Sequence, residues 1–533
     1  MKPLISPKNM HECELAYFAS GAAKSIDVME RAAQALADAI RAALPAGSAV
    51  WFACGTGGNG GDGTACARLL HERYRCAIVQ PRAPKHPDAI ENLRRARECG
   101  VPVLTEAPEE MPAAWVDALF GTGLSRAPAA AEAGLIRRMN DDHIRGARIF
   151  AADIPSGLDG ATGSAFGFCV HADLTVTFQY MKTGLTLADG LDCCGEITVA
   201  DVGFPPSAFP EHRFDGLLLE PDDPARLIPP RPRNIHKGRC GHLLIVAGSF
   251  GMAGAAAMCA SAALRSGAGL VTIACVSSIV PVLQTLVPQA MCVPLAESDG
   301  AISADALPAL ADALRGKSAA AIGPGLTRRA PADAVRLVLE SGLPAVVDAD
   351  ALNLLAGNPR LFALLRPHHV ITPHPGEAAR LLESAALFDR LRAGMNVDPE
   401  SLSSAVSYAL ASCDLSGLPP ALPNDPLTAA RQLNALGATA LYKGASSVIC
   451  GPQESAYVSR SGGCGMARGG SGDILTGILG ALLADRSERS PALTAAIASE
   501  LHGLAGELAQ KKYGSRAMNA RDILEFLPDV LPR

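Results

Sequence analysis

Apolar runs of strand length alternate with helical segments along most of this chain, and the alternation starts twice. In the first half SAVWFAC (48–54), RCAIVQ (75–80), WVDALF (115–120), ARIFAAD (147–153) and LTVTFQ (174–179) read as buried strands. Most lead into glycine-rich turns and helical stretches such as GTACARLLHER. The pattern resumes at GHLLIVAG (241–248) and continues through GLVTIAC (269–275), SAAAIG (318–323), PAVVDAD (344–350) and HVITPHP (369–375). Near-continuous apolar runs belong to strands buried on both faces, so they predict α/β domains with parallel sheets covered by helices on each side. At 533 residues the chain is long enough for more than one domain. The stretch 217–238 carries five prolines and neither a helix nor a strand period, which predicts a linker. The expected division is a first domain over 1–219, a linker over 220–234 and a second domain over 235–533. Inside the second, 381–427 begins as an amphipathic helix, passes a serine-rich stretch and ends in LSGLPPALPNDP. It reads as a surface insertion.

Aromatic residues make up 4% of the chain and the formal net charge is −6. Stacking platforms and a broad basic footprint are both missing, which argues against nucleic acid and anionic membrane as partners. Residues 266–296 hold no charge, but Gly267, Gly269, Pro281, Pro288 and Pro294 interrupt them. The run therefore reads as a helix end, a strand and a second helix, not a membrane span. The opening MKPLISPKNMHECELA has no apolar core of a signal peptide. Fifteen cysteines fall outside any CxxC or CxxH pair. They are expected to be reduced thiols packed in apolar runs, as in a cytoplasmic protein.

The run Cys54-Gly55-Thr56-Gly57-Gly58-Asn59-Gly60-Gly61-Asp62-Gly63 follows a strand and precedes a helix. Glycines there allow close backbone approach to a phosphate, and the helix start supplies free N–H donors. The spacing matches neither GxGxxG nor a P-loop. Asp117 in WVDALFGTGLSRA and Asp153 in AADIPSGLDGATG end two other strands. In open α/β sheets ligands bind beyond the carboxyl ends of the strands, so these three segments are expected to meet there. The competing reading is that the aspartates only cap turns.

The combination GGNGGDG, DALFGTGLSRA and DIPSGLDGATG, with MERAAQALADAI (29–40) and FQYMKTGL (178–185), resembles the NAD(P)H-hydrate epimerase domain over about 1–215. The resemblance implies a Rossmann-like three-layer sandwich that interconverts the R and S hydrates of NADH and NADPH. It implies potassium held by Asn59, Asp117 and Ser156. Hydrate contacts would come from Gly58, Asn59, Gly60, Gly61 and Asp62, and from Gly121, Thr122, Gly123, Leu124, Ser125, Arg126 and Ala127. Asp153 would be the acid/base, since epimerising C6 requires proton transfer. Lys182 reads either as a positive charge near the phosphates or as a solvated surface lysine. The family has two asparagines before GGD, and here the first is Gly58.

In the second half, Gly465-Met466-Ala467-Arg468-Gly469-Gly470-Ser471-Gly472-Asp473 precedes the apolar helix ILTGILGALLAD. Glycines before a helix make a nest of N–H donors suited to a terminal phosphate. Asp473 at the helix start is placed to take a hydroxyl proton as that oxygen attacks phosphorus. Its alternative role is an N-cap. Lys443-Gly444-Ala445-Ser446-Ser447, Ile322-Gly323-Pro324-Gly325-Leu326 and Thr372-Pro373-His374-Pro375-Gly376-Glu377 are strand-end loops expected to converge on the same place. Asp348 and Asp350 are further candidates, with turn capping as the competing role.

These segments, with GSFGMAGAAAMCASAALRSGAGLV (248–271), resemble the ADP/ATP-dependent NAD(P)H-hydrate dehydratase family of the ribokinase-like superfamily, over about 235–380 and 428–525. The resemblance implies a ribokinase-like three-layer α/β domain. It implies hydrate contacts from Ala255, Gly325, His374 and Asp473, and adenine nucleotide held by Lys443, Gly444, Ala445, Ser446, Ser447 and Gly472, with Mg2+ accompanying ADP or ATP. Ser459, Gly463 and Cys464 replace the Asn, Asn and Pro usual before GMA. Together the halves resemble bifunctional NAD(P)H-hydrate repair enzymes acting on NADHX and NADPHX, often as homo-oligomers. Two other readings stay open: a ribokinase-like small-molecule kinase, and a first domain that binds without catalysing.

Overall fold

The computed structural model describes residues 1–394, 423, 425–485 and 487–532. The chain divides into two compact units, Lys2–Leu217 and Leu218–Arg533, the latter also holding Met1. In the stretch expected as a linker, Asp223–Leu227 forms a helical turn that belongs to the second unit. The helix Pro375–Gly394 contains the start of the expected insertion. Residues 395–422 and 424, most of that insertion, lie outside the described residues.

The first unit is built on seven parallel strands: β1 Ala49–Cys54, β2 Arg75–Val79, β3 Val103–Leu104, β4 Ala114–Ala118, β5 Arg148–Ala152, β6 Leu174–Phe178 and β7 Glu196–Ala200. Their order in the sheet is 3-2-1-4-5-6-7. β1 is apolar throughout because both its faces are covered. Val50, Phe52 and Cys54 join a core with Leu36 and Ile40 of the helix Ser25–Ala43, while Trp51 and Ala53 pack with Trp115, Ile136 and Ile149. Connections leave β1 and β4 toward opposite edges, which makes their carboxyl ends a topological switch point. Cys54 and Ala118 are neighbours in register there.

Among the described residues, nine strands of the second unit lie side by side in one sheet: β8 His242–Val246, β9 Leu270–Val276, β10 Met291–Leu295, β11 Ala319–Ile322, β12 Ala345–Val347, β13 His369–Ile371, β14 Thr439–Tyr442, β15 Ser447–Cys450 and β16 Ala456–Ser459. The order is 10-9-8-11-12-13-14-15-16. Pairing is parallel through β14 and antiparallel at the last two steps. The switch point falls between β8 and β11. Helices Ala253–Arg265 and Ser471–Ala484 lie against each other so closely that a Cβ at Gly477 would sit 2.1 Å from the Cys259 carbonyl oxygen.

The charge-free stretch 266–296 forms strand β9, a short helix Val280–Leu286 and strand β10. Among the described residues, no helix is long and apolar enough to cross a membrane. Cys54, Cys66, Cys259 and Cys275 are buried free thiols as expected, whereas Cys99 and Cys464 are exposed. Cys169 and Cys193 are joined as a disulfide, which departs from the expectation of thiols throughout. Spacing gave no sign of it, because the two meet only where the loop before β6 folds onto the turn before β7.

Candidate functional site

The glycine run of the first unit is not a loop ahead of a helix. The helix Gly58–Leu70 starts within it, with Gly57 as N-cap. Packing fixes most of its glycines. A Cβ at Gly60 would lie 2.1 Å from the Gly55 carbonyl oxygen, at Gly61 2.7 Å from the Met29 sulfur and at Gly63 2.5 Å from Ala118. Gly57 and Gly58 face open space. A Cβ at Gly58 would therefore meet nothing among the described residues.

Asn59, Asp117 and Ser156 do converge. Asn59 Nδ2 donates to the Phe120 carbonyl at 2.9 Å. The Ser156 hydroxyl accepts from the Phe120 amide at 2.9 Å and donates to Asp117 Oδ1 at 2.6 Å. Asp117 Oδ2 accepts from the Ser156 amide at 2.6 Å. Asp117 is completely buried. Burial pushes its carboxyl up to about 6, against the pull of the Ser156 and Leu119 hydrogen bonds, and no cationic side chain is among the groups acting on it. The loop 121–127 follows β4. A Cβ on its Gly121 would come within 3.2 Å of Asn59, and Gly123, Ser125, Arg126 and Ala127 are exposed, with Thr122 and Leu124 half-buried.

Asp153 follows β5 in a left-handed conformation (φ 64°) that a non-glycine residue rarely adopts. Its Oδ1 receives Thr177 Oγ1 at 3.0 Å, the Phe178 amide at 3.4 Å and Lys182 Nζ at 2.7 Å. Lys182 is not on the surface. Its side chain is 1% exposed, paired with Asp153 and donating to the Phe178 carbonyl at 2.6 Å. Two further carboxyls share this cluster. Asp62 is raised well above the ordinary range by burial and by the neighbouring Asp153 and Glu14. Glu14 is pushed up to about 7 by burial, with Lys182 opposing and Asp153 adding to the shift. Sequence reading passed over Glu14. The signal was its position four residues after buried Met10 on one helix, hence on the same inward face.

The second unit brings its segments together around Lys443. Nζ donates to Asp348 Oδ1 at 2.7 Å and lies 4.0 Å from Glu377 Oε2. Burial would push this ammonium down, but Asp348 and Glu377 outweigh it and hold it above its ordinary value. Burial likewise opposes the Asp348 charge, yet Lys443, Thr476 and Thr372 keep its carboxyl below the usual range. Thr476 Oγ1 donates to Asp348 Oδ2 at 2.7 Å. A Cβ on Gly472 would lie 3.5 Å from Lys443 Nζ. Asp350, by contrast, caps the turn at the Thr327 amide at 2.9 Å. Ser446 is buried, Ser447 half-buried, and Gly444 and Ala445 form the exposed tip between β14 and β15.

Asp473 is not an N-cap. Gly470 holds that position at φ 97°, where a Cβ would strike Met258. The Asp473 carboxyl lies in the first turn, half-buried, and accepts no hydrogen bond among the described residues. Burial, with Asp348 and Asp350 adding, pushes it up to about 6 against Lys443. Helix N-terminal N–H groups, one cation and a carboxylate poised near neutrality are the parts that phosphoryl transfer needs. His374 is half-exposed, and its Nδ1 accepts from the Gly376 amide at 3.0 Å. Pro375 next to it opens a helix and is not a second boundary of a turn. Gly325 (φ 63°) packs against Ala255, 3.0 Å from a built Cβ.

One helix that sequence reading left without a role, Pro491–Tyr513, holds the loop leading into this anion hole. Buried Glu500 accepts from Ser459 at 2.7 Å and Ser461 at 2.6 Å. Glu507 accepts from the Gly462 amide and Gln510 from the Gly465 amide, both at 2.8 Å. His502 meets the Ser471 hydroxyl at 3.3 Å, and burial lowers its imidazole to about 4. The departures at Ser459 and Gly463 thus have a local reason. Ser459 serves Glu500, and a Cβ at Gly463 would sit 2.5 Å from Gln510.

Residues 25–184 match the family model described as YjeF-related protein N-terminus, and residues 243–407 and 412–529 match that described as NAD(P)H-hydrate dehydratase. The bifunctional NAD(P)H-hydrate repair enzyme Nnr of Moorella thermoacetica is 37% identical over 494 residues, 90% of this chain and 86% of its own. That of Coxiella burnetii is 34% identical over 99% of both chains, and that of Escherichia coli is 32% identical over 95% of this chain and 89% of its own. Among solved structures, the ADP/ATP-dependent NAD(P)H-hydrate dehydratase of Bacillus subtilis, co-crystallised with ATP/Mg2+, covers 59% of this chain and 98% of its own at 24% identity, with a TM-score of 0.42. With one family model matching more than half of its length and full-length relatives above 30% identity, the chain belongs to the family of bifunctional NAD(P)H-hydrate repair enzymes.

Proposed function

We propose that the two units act in turn on hydrated nicotinamide cofactors, NADHX and NADPHX. The first interconverts their R and S forms, and the second dehydrates the S form at the expense of ADP or ATP. The observation that carries this reading is Asp473, a carboxyl pushed up to about 6 at the start of a glycine-headed helix beside Lys443. As a carboxylate it takes the proton of the C6 hydroxyl while that oxygen attacks the terminal phosphorus. The phosphate then leaves C6 with the former hydroxyl oxygen and C5 gives up a proton, so that the C5–C6 double bond forms and the dihydronicotinamide is restored. Lys443 and the backbone of Gly444, Ala445, Ser446, Ser447 and Gly472 bind the nucleotide, and Ala255, Gly325 and His374 line the hydrate side. Mg2+ would stay on the nucleotide phosphates with most of its waters, which suits a site whose Asp348 is already tied to Lys443 and Thr476.

In the first unit, Asp153 transfers the proton that lets the C6 hydroxyl leave and return, or the ring open and close. Among the described residues its side-chain hydrogen bonds and ion pair fall on Oδ1, which would leave Oδ2 for substrate. Gly58–Asp62 and Gly121–Ala127 would contact the hydrate. Asn59, Asp117 and Ser156 offer only hard oxygen and amide donors, and Asp117 is a buried carboxyl on which no cationic side chain acts among the described residues. A potassium ion fits that set and would supply the missing charge. The same proposal takes the enzyme to be cytoplasmic and homo-oligomeric. Relatives named for cofactor repair favour the hydrate over the kinase reading and over a first unit that only binds.

The test mixes R and S NADH hydrate with the protein, with and without ADP or ATP, and follows dihydronicotinamide absorbance. Complete, nucleotide-dependent recovery faster than spontaneous epimerisation is expected. Recovery that stops at the S fraction would remove the epimerase, and none at all would remove the repair reading.

A further inference from the structure

Close to the Asn59–Asp117–Ser156 cluster lies a set of side chains that neither reaction uses. Cys169 and Cys193 are each 3% exposed, and a ring nitrogen of exposed His171 comes with their two sulfurs into a group no more than 4.8 Å across. Their backbone is fixed by bonds that do not involve the three side chains. Asn140 donates Nδ2 to the Cys169 carbonyl at 2.9 Å and accepts the His171 amide on Oδ1 at 3.0 Å, so one amide group clamps both ends of the segment. The Val170 amide between them donates to the Ser156 carbonyl at 2.9 Å. Cys193 ends the short helix Gly190–Cys193, and its carbonyl accepts the Ala172 amide at 2.9 Å. The turn after Ser156 rests directly on this segment, since a Cβ at Gly157 would lie 2.3 Å from the Phe168 carbonyl oxygen.

We propose that in the reduced chain Cys169, His171 and Cys193 form a binding site for zinc. Two thiolates and an imidazole are the donors that a borderline-soft dication selects over magnesium or potassium. Each thiol gives up its proton on binding, so the two thiolates balance the two charges of the ion. The Cα atoms are 6.9 Å apart, just beyond the roughly 4.4–6.8 Å usual for a disulfide. Two thiolates at about 2.3 Å from a tetrahedral zinc lie about 3.8 Å from each other, a looser span. A disulfide leaves His171 without a role, whereas zinc uses all three groups. Three protein ligands leave a fourth position for water on the exposed His171 side, which is also the way in. Where thiols are kept reduced, two cysteines and a histidine so placed are read as metal ligands more readily than as a bridge.

The experiment reduces the full chain with a phosphine, strips metal with a chelator that is then removed, and titrates zinc against a chromophoric indicator. Cobalt in place of zinc gives an absorption band that reports thiolate ligation. One zinc equivalent per chain and a cobalt–thiolate band are expected. Both should be lost in Cys193→Ser, and zinc affinity should fall at least tenfold in His171→Asn, a change on the surface that leaves the fold intact. The proposal is overturned if zinc binds equally to wild type and His171→Asn, or if none binds although thiol titration shows both cysteines reduced.

Discussion

Replacing Lys182 by methionine tests the centre of the first unit most directly. The change keeps the apolar stem and removes the ammonium that pairs with Asp153 at 2.7 Å, where the two side chains are only 1% and 10% exposed. Removing one partner of a buried pair leaves a charge without solvent or counter-ion, which costs about 3–5 kcal/mol. For a unit of this size each kcal/mol moves the melting midpoint by about 2–4 °C, so Lys182→Met should lower it by about 6–20 °C. The assay needs no label, because the only two tryptophans of the chain, Trp51 and Trp115, lie on β1 and β4 of this unit. Their fluorescence follows its unfolding and not that of the second unit. Asp153→Asn combined with Lys182→Met removes both charges and should recover most of the loss. A single-variant shift below about 2 °C would refute the desolvated pair. A double variant as unstable as the single would show that the lysine serves by packing and not by charge.

Asp473→Asn should lower dehydration by at least about a thousandfold while epimerisation continues, since only the carboxylate takes the hydroxyl proton. Because burial holds this group at about 6, wild-type dehydration should be flat above that pH and fall about tenfold per unit below it, measured as kcat/KM against pH. For Asp117 the folded value of about 6 lies above the ordinary carboxylate value, so the stability it contributes is full at low pH and lost as pH rises through 6. Potassium should then raise stability at pH 8, followed by tryptophan-monitored melting, by about 2.7 kcal/mol at a hundred times its Kd, but not at pH 5 or in Asp117→Asn. Gly58→Asn enters open space and should leave stability within about 0.5 kcal/mol while lowering KM for the hydrate. Gly463→Asn pushes on the flexible end of Gln510, which must shift off the Gly465 amide, and should cost about 0.5–1.5 kcal/mol, with calorimetry as the check.

The sequence by itself determined most of the scaffold. Every apolar run of the opening alternation became a strand, because runs this short, most of them rich in β-branched and aromatic residues and bounded by turn residues, pair in a sheet covered on both faces. The glycine-headed helices at Gly58 and Ser471 were legible because each glycine-rich run is followed directly by a helical pattern. Asn59, Asp117 and Ser156 were found together as expected. Tertiary structure decided which buried charges face each other. Asp348 meets Lys443 across 95 residues and Thr476 across 128, and no spacing rule links them. Nothing in the sequence separated a solvated Lys182 from a functional one, until β6 and the turn after it buried its ammonium on Asp153. Glu14, Glu500 and His502 were ordinary helix residues in the sequence, and Cys169 and Cys193 ordinary thiols. Periodicity tells which side of an element is buried, but a charge is tolerated there only beside a particular partner. The order of strands and the packing of helices choose that partner.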